Sequence, residues 1–214
     1  MEQISTLKSF RGFADSRIGG RSENQDSCGF IDTKLGLLVT VCDGMGGGPG
    51  GKTASSIAVA EIIKGVTEAD ESETIANILI KAIRRANMAI IQKSDEDPNL
   101  KGMGSTATAL LINYQSAIVA HVGDSRIYQL RNGKKIFRTF DHSMVFELVK
   151  QKVITEEQAR LSAQSNVITR ALGIKPDLEV EVKELAYEAG DRFLLCTDGI
   201  HGTMPEKELI KIVT

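Results

Sequence analysis

The chain has no tryptophan, only three histidines and only three cysteines. Cys28, Cys42 and Cys196 show no CxxC spacing and lie in apolar stretches, so a disulfide framework is not indicated and reduced core residues are expected. No apolar run is long enough to span a bilayer, and no signal-peptide pattern precedes the first strand-like segment. Neither sign of charge predominates. The formal net charge is −2, which gives no reason to expect nucleic acid or another polyanion as a partner. There is no internal repeat and no low-complexity linker. What is present is 214 residues, 42% of them hydrophobic, enough for one sizeable core. One compact, soluble, cytoplasmic domain over residues 1–214 is expected, with no membrane or nucleic-acid partner.

The stretch that stands out is Val39 to Gly51, VTVCDGMGGGPGG. An apolar run from Leu35 ends on a single carboxylate, Asp43, and a glycine-rich segment then leads into a helix-like stretch, Lys52 to Lys64. A buried strand that ends on an acid presents that acid from a rigid support. Glycines directly after it let the backbone turn sharply and approach an ion or phosphate closely, because no Cβ stands in the way. An Asp-Gly hairpin turn is the plainer reading of the same residues.

Upstream, Ser9 to Ile18 reads as a strand followed by Gly19-Gly20, and the polar hexapeptide Arg21 to Asp26 leads into a second strand, Ser27 to Ile31. Arg21 is compatible with a surface arginine and Asp26 with a loop acid. A guanidinium near acids is equally what a phosphate site needs, since its fork grips two phosphate oxygens. Glu71 to Lys93 is the clearest helix. Ile75, Ile78, Leu79, Ala82, Ala86, Ala89 and Ile90 recur at steps of three and four, and Asp70 with Glu73 forms a candidate capping pair. Its other face, with Lys81, Arg84 and Arg85, reads as solvated.

From Met103 the chain reads as an antiparallel meander: Met103 to Ile112, Ala117 to Val122, a Gly123-Asp124 turn, and Arg126 to Leu130. An Asn132-Gly133 hairpin then leads into Lys134 to Arg138. His121 fits a satisfied core histidine. Ser143 to Lys150 and Thr155 to Leu161 read as two short helices, the second opened by a Thr155–Gln158 capping box. Strands follow at Leu178 to Leu185 and Arg192 to Thr197, the latter ending in Asp198-Gly199. Pro205 to Val213 starts a helix.

Three carboxylates thus end or turn strands beside a glycine: Asp43, Asp124 and Asp198. Acids and carbonyls without neighbouring His or Cys suit a hard ion such as Mg2+ or Mn2+ rather than zinc. Three ordinary Asp-Gly turns are the alternative.

A wider set of short motifs bears on that choice. Arg21-Ser22-Glu23-Asn24-Gln25-Asp26, Asp43-Gly44-Met45-Gly46-Gly47 and Gly104-Ser105-Thr106-Ala107 are followed by Val122-Gly123-Asp124-Ser125-Arg126 and Asp141-His142-Ser143. Thr169-Arg170-Ala171-Leu172-Gly173 and Cys196-Thr197-Asp198-Gly199-Ile200 complete the set. In this order the chain resembles the metal-dependent protein serine/threonine phosphatases of type 2C, in their bacterial form. The resemblance implies an α+β fold: a four-layer α-β-β-α sandwich of two antiparallel sheets flanked by helices, with a small helical flap at 143–163. It implies two Mn2+ or Mg2+ ions and a weaker third. Asp43 would bridge two ions, the Gly44 carbonyl would bind one and Asp198 the other, and Asp124 with Asp198 would form the third site. Asp26 would hold metal-bound water and Arg21 the substrate phosphate. The substrates implied are phosphorylated proteins, products of a serine/threonine kinase. Met45 stands where many eukaryotic relatives have a proton-donating histidine, so leaving-group protonation would fall to a metal-bound water. The family's terminal Asp-Asn pair is not found after Asp198, so the chain reads as lacking a final strand and one metal ligand. A catalytically impaired relative that binds phosphorylated partners without turnover is the alternative to an active hydrolase.

Overall fold

The computed structural model describes residues 10–47 and 49–214, together with the backbone of residues 2–5. Strands β1 (Glu2–Ser5) and β2 (Arg11–Ala14) form a small antiparallel ribbon. The strand expected over Ser9–Ile18 is shorter than its sequence suggests, and Ser9 lies outside the described residues. Past Ala14 the Asp15 carboxylate accepts from the Ser16 N–H and from Arg17 Nε. Such local bonds offer the backbone an alternative to a ladder.

The main sheet is built from β3 (Asp26–Thr33), β4 (Gly36–Met45), β5 (Gly104–Ser105), β6 (Ala107–Ile112), β7 (Ala117–Val122) and a late strand at Glu181–Leu185. All its pairings are antiparallel, in the order β10-β7-β6-β4-β3 where β10 is the late strand at Glu181–Leu185, and β5 pairs with the end of β4. A second sheet contains β8 (Arg126–Arg131) and β9 (Lys134–Arg138), joined by Asn132 and Gly133. Both turn residues have positive φ, 49° and 75°, as the two-residue hairpin predicted at Asn132-Gly133 requires. The strand at Glu181–Leu185 is β10 and that at Arg192–Cys196 is β11, which pairs with the other edge of β8.

The sequence reads as one meander from Met103 onward, whereas the structure divides it between two sheets. The break is at Gly123, with φ +99°. A Cβ there would meet the Thr106 side chain at 2.7 Å, so only glycine lets the chain leave β7 this close to its neighbour and cross into β8. Asp124 lies in that crossing.

Strand alternation assigns the layers. On β4, Leu38 and Cys42 face outward with Leu111, Ala109, Ile118 and Ala120, where they meet α1 (Gly50–Thr67) and α2 (Ile75–Glu96). Leu37 and Val39 face the other way and pack with Leu110, Val119, Ile127, Phe193 and Leu195 between the sheets. On the far side of the second sheet, Tyr128, Leu130 and Cys196 are covered by Leu209 of a C-terminal helix, Glu206–Val213. The result is an α-β-β-α sandwich. Each fully buried Leu or Ile in these layers contributes roughly 1.5–3 kcal/mol.

Helix α2 begins at Thr74, whose side chain accepts from the Asn77 N–H; Asp70 instead caps a preceding turn through Ser72. The two short helices after β9 form as expected: α3 (Met144–Lys150), capped by Ser143, and α4 (Glu156–Arg160), with both bonds of the Thr155–Gln158 capping box. They share a small core of Val145, Phe146 and Ala159. Residues Asp198–His201 form a helical turn, α5, and Glu206–Val213 is α6. Of the cysteines, Cys42 and Cys196 are buried, while Cys28 is exposed, because β3 is the edge strand of its sheet. Among the described residues no helix is long and apolar enough to cross a membrane.

Candidate metal and phosphate site

Asp43 is not the last residue of its strand. β4 runs on to Met45 because Gly44 and Met45 pair with Ser105 and Gly104. Counting by twos from Leu37 and Val39 places Asp43 on the face between the sheets. Its cross-strand partner is Asp26, the first residue of β3. Two acids in direct register repel one another, so their backbones must be fixed from elsewhere. The Asp43 N–H donates to Thr106 Oγ1 at 2.8 Å and its carbonyl accepts from the Thr106 N–H at 2.8 Å. Thr106 Oγ1 also shares a proton with Ser125 Oγ at 2.8 Å, which ties the turn bearing Asp124 to the strand bearing Asp43.

Asp198 opens α5 directly after β11, so the Asp-Gly turn expected there is the start of a helical turn. Thr197, just before it, donates its hydroxyl to Asp26 Oδ2 at 2.9 Å across the gap between the sheets. His201, at the end of α5, bonds the Asp124 carbonyl oxygen through Nε2 at 3.1 Å. Asp124 and Asp198 line a cleft of about 80 Å3 whose other wall includes Arg160, Ser165 and Asn166.

The electrostatics tie Asp43 to each of the other three acids. Burial, then the charges of Asp198 and Asp26, push the Asp43 carboxyl up to about 9, with a smaller contribution from Asp124. Burial and the Asp198 charge push Asp124 up to about 7. Burial raises Asp26, with Thr197 opposing it and Arg21 lowering it at longer range. No lysine or arginine among the described residues forms an ion pair with Asp26, Asp43, Asp124 or Asp198. A half-buried set of like charges, with only Asp124 fully buried and no resident cation among the described residues, fits oxygen ligation of divalent metal.

Gly44 is needed for steric reasons as well. A Cβ on it would lie 1.9 Å from the Gly51 carbonyl oxygen and 2.7 Å from that of Gln25. Arg21 is exposed at the edge of this group, in the loop before β3.

A second grouping lies one turn away. His121, His142 and Glu181 place ligand atoms within 4.8 Å of one another. The rings are stacked at 4.5 Å and nearly parallel, so their in-plane lone pairs do not converge. His142 Nδ1 accepts the Gly123 N–H at 3.1 Å, and its Nε2 lies 3.3 Å from both Glu181 Oε2 and Arg170 Nη1. Burial pushes His142 down to about 4 and lowers His121. These are neutral structural histidines that pin the Gly123 crossing, as expected for His121. Arg126 and Asp141 form a buried bidentate pair at 2.7 Å, and the Phe146 ring of α3 lies 4.9 Å from the guanidinium.

The family model for protein phosphatase 2C matches residues 14–213. The chain belongs to the protein phosphatase 2C family. Its members are metal-dependent protein serine/threonine phosphatases, and the chain is an enzyme of that class. Among its relatives, "Serine/threonine phosphatase stp" of Listeria monocytogenes serotype 4b is 35% identical over 197 residues, covering 90% of this chain and 78% of that protein. The solved serine/threonine phosphatase of S. agalactiae superposes with a TM-score of 0.82 at 35% identity, covering 91% of this chain and 81% of that one. The catalytic domain of the phosphatase PstP, solved in complex with two manganese ions, superposes at 0.74 and 32% identity, covering 92% and 80%. The 2C fold accounts for the two antiparallel sheets with outer helices found here.

Thr106, Ser125, Thr197 and His201 are site residues that sequence reasoning assigned no role. Alternation along Phe193, Leu195 and Thr197 gives the one usable signal, since it puts Thr197 on the inner face.

Proposed function

We propose that this protein hydrolyses phosphoserine and phosphothreonine in phosphorylated cytoplasmic proteins, using divalent Mn2+ or Mg2+ held between its two sheets. What supports the reading is that three further carboxylates act on Asp43: burial, then the charges of Asp198, Asp26 and Asp124, push its carboxyl up to about 9. Asp43, which both Asp26 and Asp198 act on, would be the shared ligand; the Gly44 carbonyl and Asp198 would hold the two ions, and Asp124 with Asp198 would offer a third position. Bound divalent ions would acidify water and neutralise the phosphoryl oxygens.

The protein's own groups do the rest. Asp26, oriented by Thr197, would align the attacking water. Arg21 would grip the phosphate with its planar fork, which exposure at the site edge permits. Met45 has no proton to give, so the leaving group's proton would have to come from a water held at the metal site. The helices α3 and α4, held by Arg126 and Arg138, form the flap beside the cleft.

Hydrolysis of phosphoserine and phosphothreonine peptides, followed as released phosphate with Mn2+ and with excess chelator, tests this reading. Turnover with Mn2+ and its loss in chelator are expected. Equal turnover in both would overturn the metal centre, and tight peptide binding without turnover would favour a phosphoprotein-binding role.

A further inference from the structure

Lys52 stands in the first turn of α1, a partly buried cation directed back at the strand that carries Asp26. Its Nζ donates to the Asp26 carbonyl oxygen at 2.7 Å and to Ser27 Oγ at 3.1 Å. One turn on, Ser55 Oγ donates to the Gln25 carbonyl oxygen at 2.6 Å, and the Gly44 N–H reaches that same oxygen at 3.2 Å. Gly51 packs so closely on the Gln25 amide that a Cβ there would lie 2.6 Å from it. The helix start therefore grips three consecutive residues, 25 to 27.

That grip falls where the sheet holds least. Asp26 is the first residue of an edge strand, paired to β4 on one side, and the chain before it is irregular. Strand ends fray when little else fixes them. The ammonium supplies a charge-assisted bond at this position, stronger than a neutral one.

We propose that Lys52 is a positioning residue for Asp26, holding its backbone so that its carboxylate keeps a fixed place relative to Asp43 and sets the affinity of the acid cluster for divalent ions. This rests on the metal-centre reading above. Among the described residues Lys52 forms no ion pair with any of the four carboxylates, and it acts through the Asp26 main chain.

Lys52→Met keeps the aliphatic stem and removes both hydrogen bonds. Calorimetric titration with Mn2+ should show affinity about tenfold weaker, the scale expected for losing an outer-shell partner of a metal site. The kcat on a phosphopeptide should fall by a similar factor with KM unchanged, and Lys52→Arg, which retains donors and charge, should recover most of both. Wild-type affinity and kcat in Lys52→Met would overturn the proposal. So would equal losses in the Met and Arg variants, since packing rather than donation would then be at issue. If Lys52→Met fails to fold, Ser55→Ala takes its place: a smaller loss of Mn2+ affinity supports the clamp, and no loss overturns it. Wild-type protein that binds no Mn2+ would overturn the metal centre itself, and this proposal with it. Wild-type binding that Lys52→Met leaves intact would remove only the role given to Lys52.

Discussion

Thr197 donates its hydroxyl to Asp26 Oδ2 at 2.9 Å, joining the two sheets across 171 residues of sequence. The bond favours the ionised carboxylate against the burial that raises it. Thr197→Val should therefore make Asp26 hold its proton more tightly. The acid limb of the kcat/KM profile should move up by about one pH unit, the size expected for losing one hydrogen bond to a charged group. An unmoved limb would show that this bond does not control the ionisation that matters.

Asp43 makes the metal-free protein sensitive to alkali. Its carboxyl rises from 3.8 to about 9 on folding, so the folded state prefers the protonated form. A group raised in this way loses stability as pH climbs from the unfolded value towards the folded one. In chelator, Tm should fall between pH 6 and pH 9, and Asp43→Asn should flatten the slope and raise Tm at pH 8 by a few degrees. Scanning calorimetry checks this, and an Asn variant less stable than wild type in chelator would contradict it.

Arg126 and Asp141 are both buried, at 8% and 4% side-chain exposure, with two bonds of 2.7 Å. Asp141→Asn leaves a buried guanidinium without its counter-charge and should cost about 3–5 kcal/mol by urea denaturation. The Phe146 ring that rests on Arg126 belongs to α3, so hydrogen exchange in α3 should accelerate in the same variant. Stability and exchange equal to wild type would show that the pair does not anchor the flap.

Arg21→Ala should raise KM for phosphopeptides about tenfold with little change in kcat, since it removes a contact made before and during reaction alike. A fall in kcat at constant KM would move Arg21 from substrate binding to the transition state.

Local signals were legible in the sequence, and long-range ones only where a motif encoded them. The Asn132-Gly133 hairpin and the Thr155–Gln158 box depend on residues a few positions apart, and both formed. The cap of α2 fell to Thr74 rather than Asp70, a choice between neighbouring polar residues that spacing alone does not decide. The crossing at Gly123 depends on Thr106, 17 positions away in sequence, so a meander was the natural reading. Asp43, Asp124 and Asp198 stood out because each adjoins a glycine where a strand-like run closes, and Asp26 only through its motif. Their supports did not: Lys52 is only the start of a helix-like stretch until α1 is seen to begin at Gly50 and fold back on residues 25–27.

The most direct test of the account is calorimetric titration of Mn2+ into wild type and Asp43→Asn near pH 8, in buffers of differing ionisation enthalpy. Below about 9 the Asp43 carboxyl holds a proton that an incoming ion must displace. Wild type should therefore bind Mn2+ with proton release, seen as a buffer-dependent heat, and Asp43→Asn should lose both the tight binding and the release. Equal Mn2+ affinity in the two proteins would contradict the assignment of Asp43 as the ligand at the centre of the site.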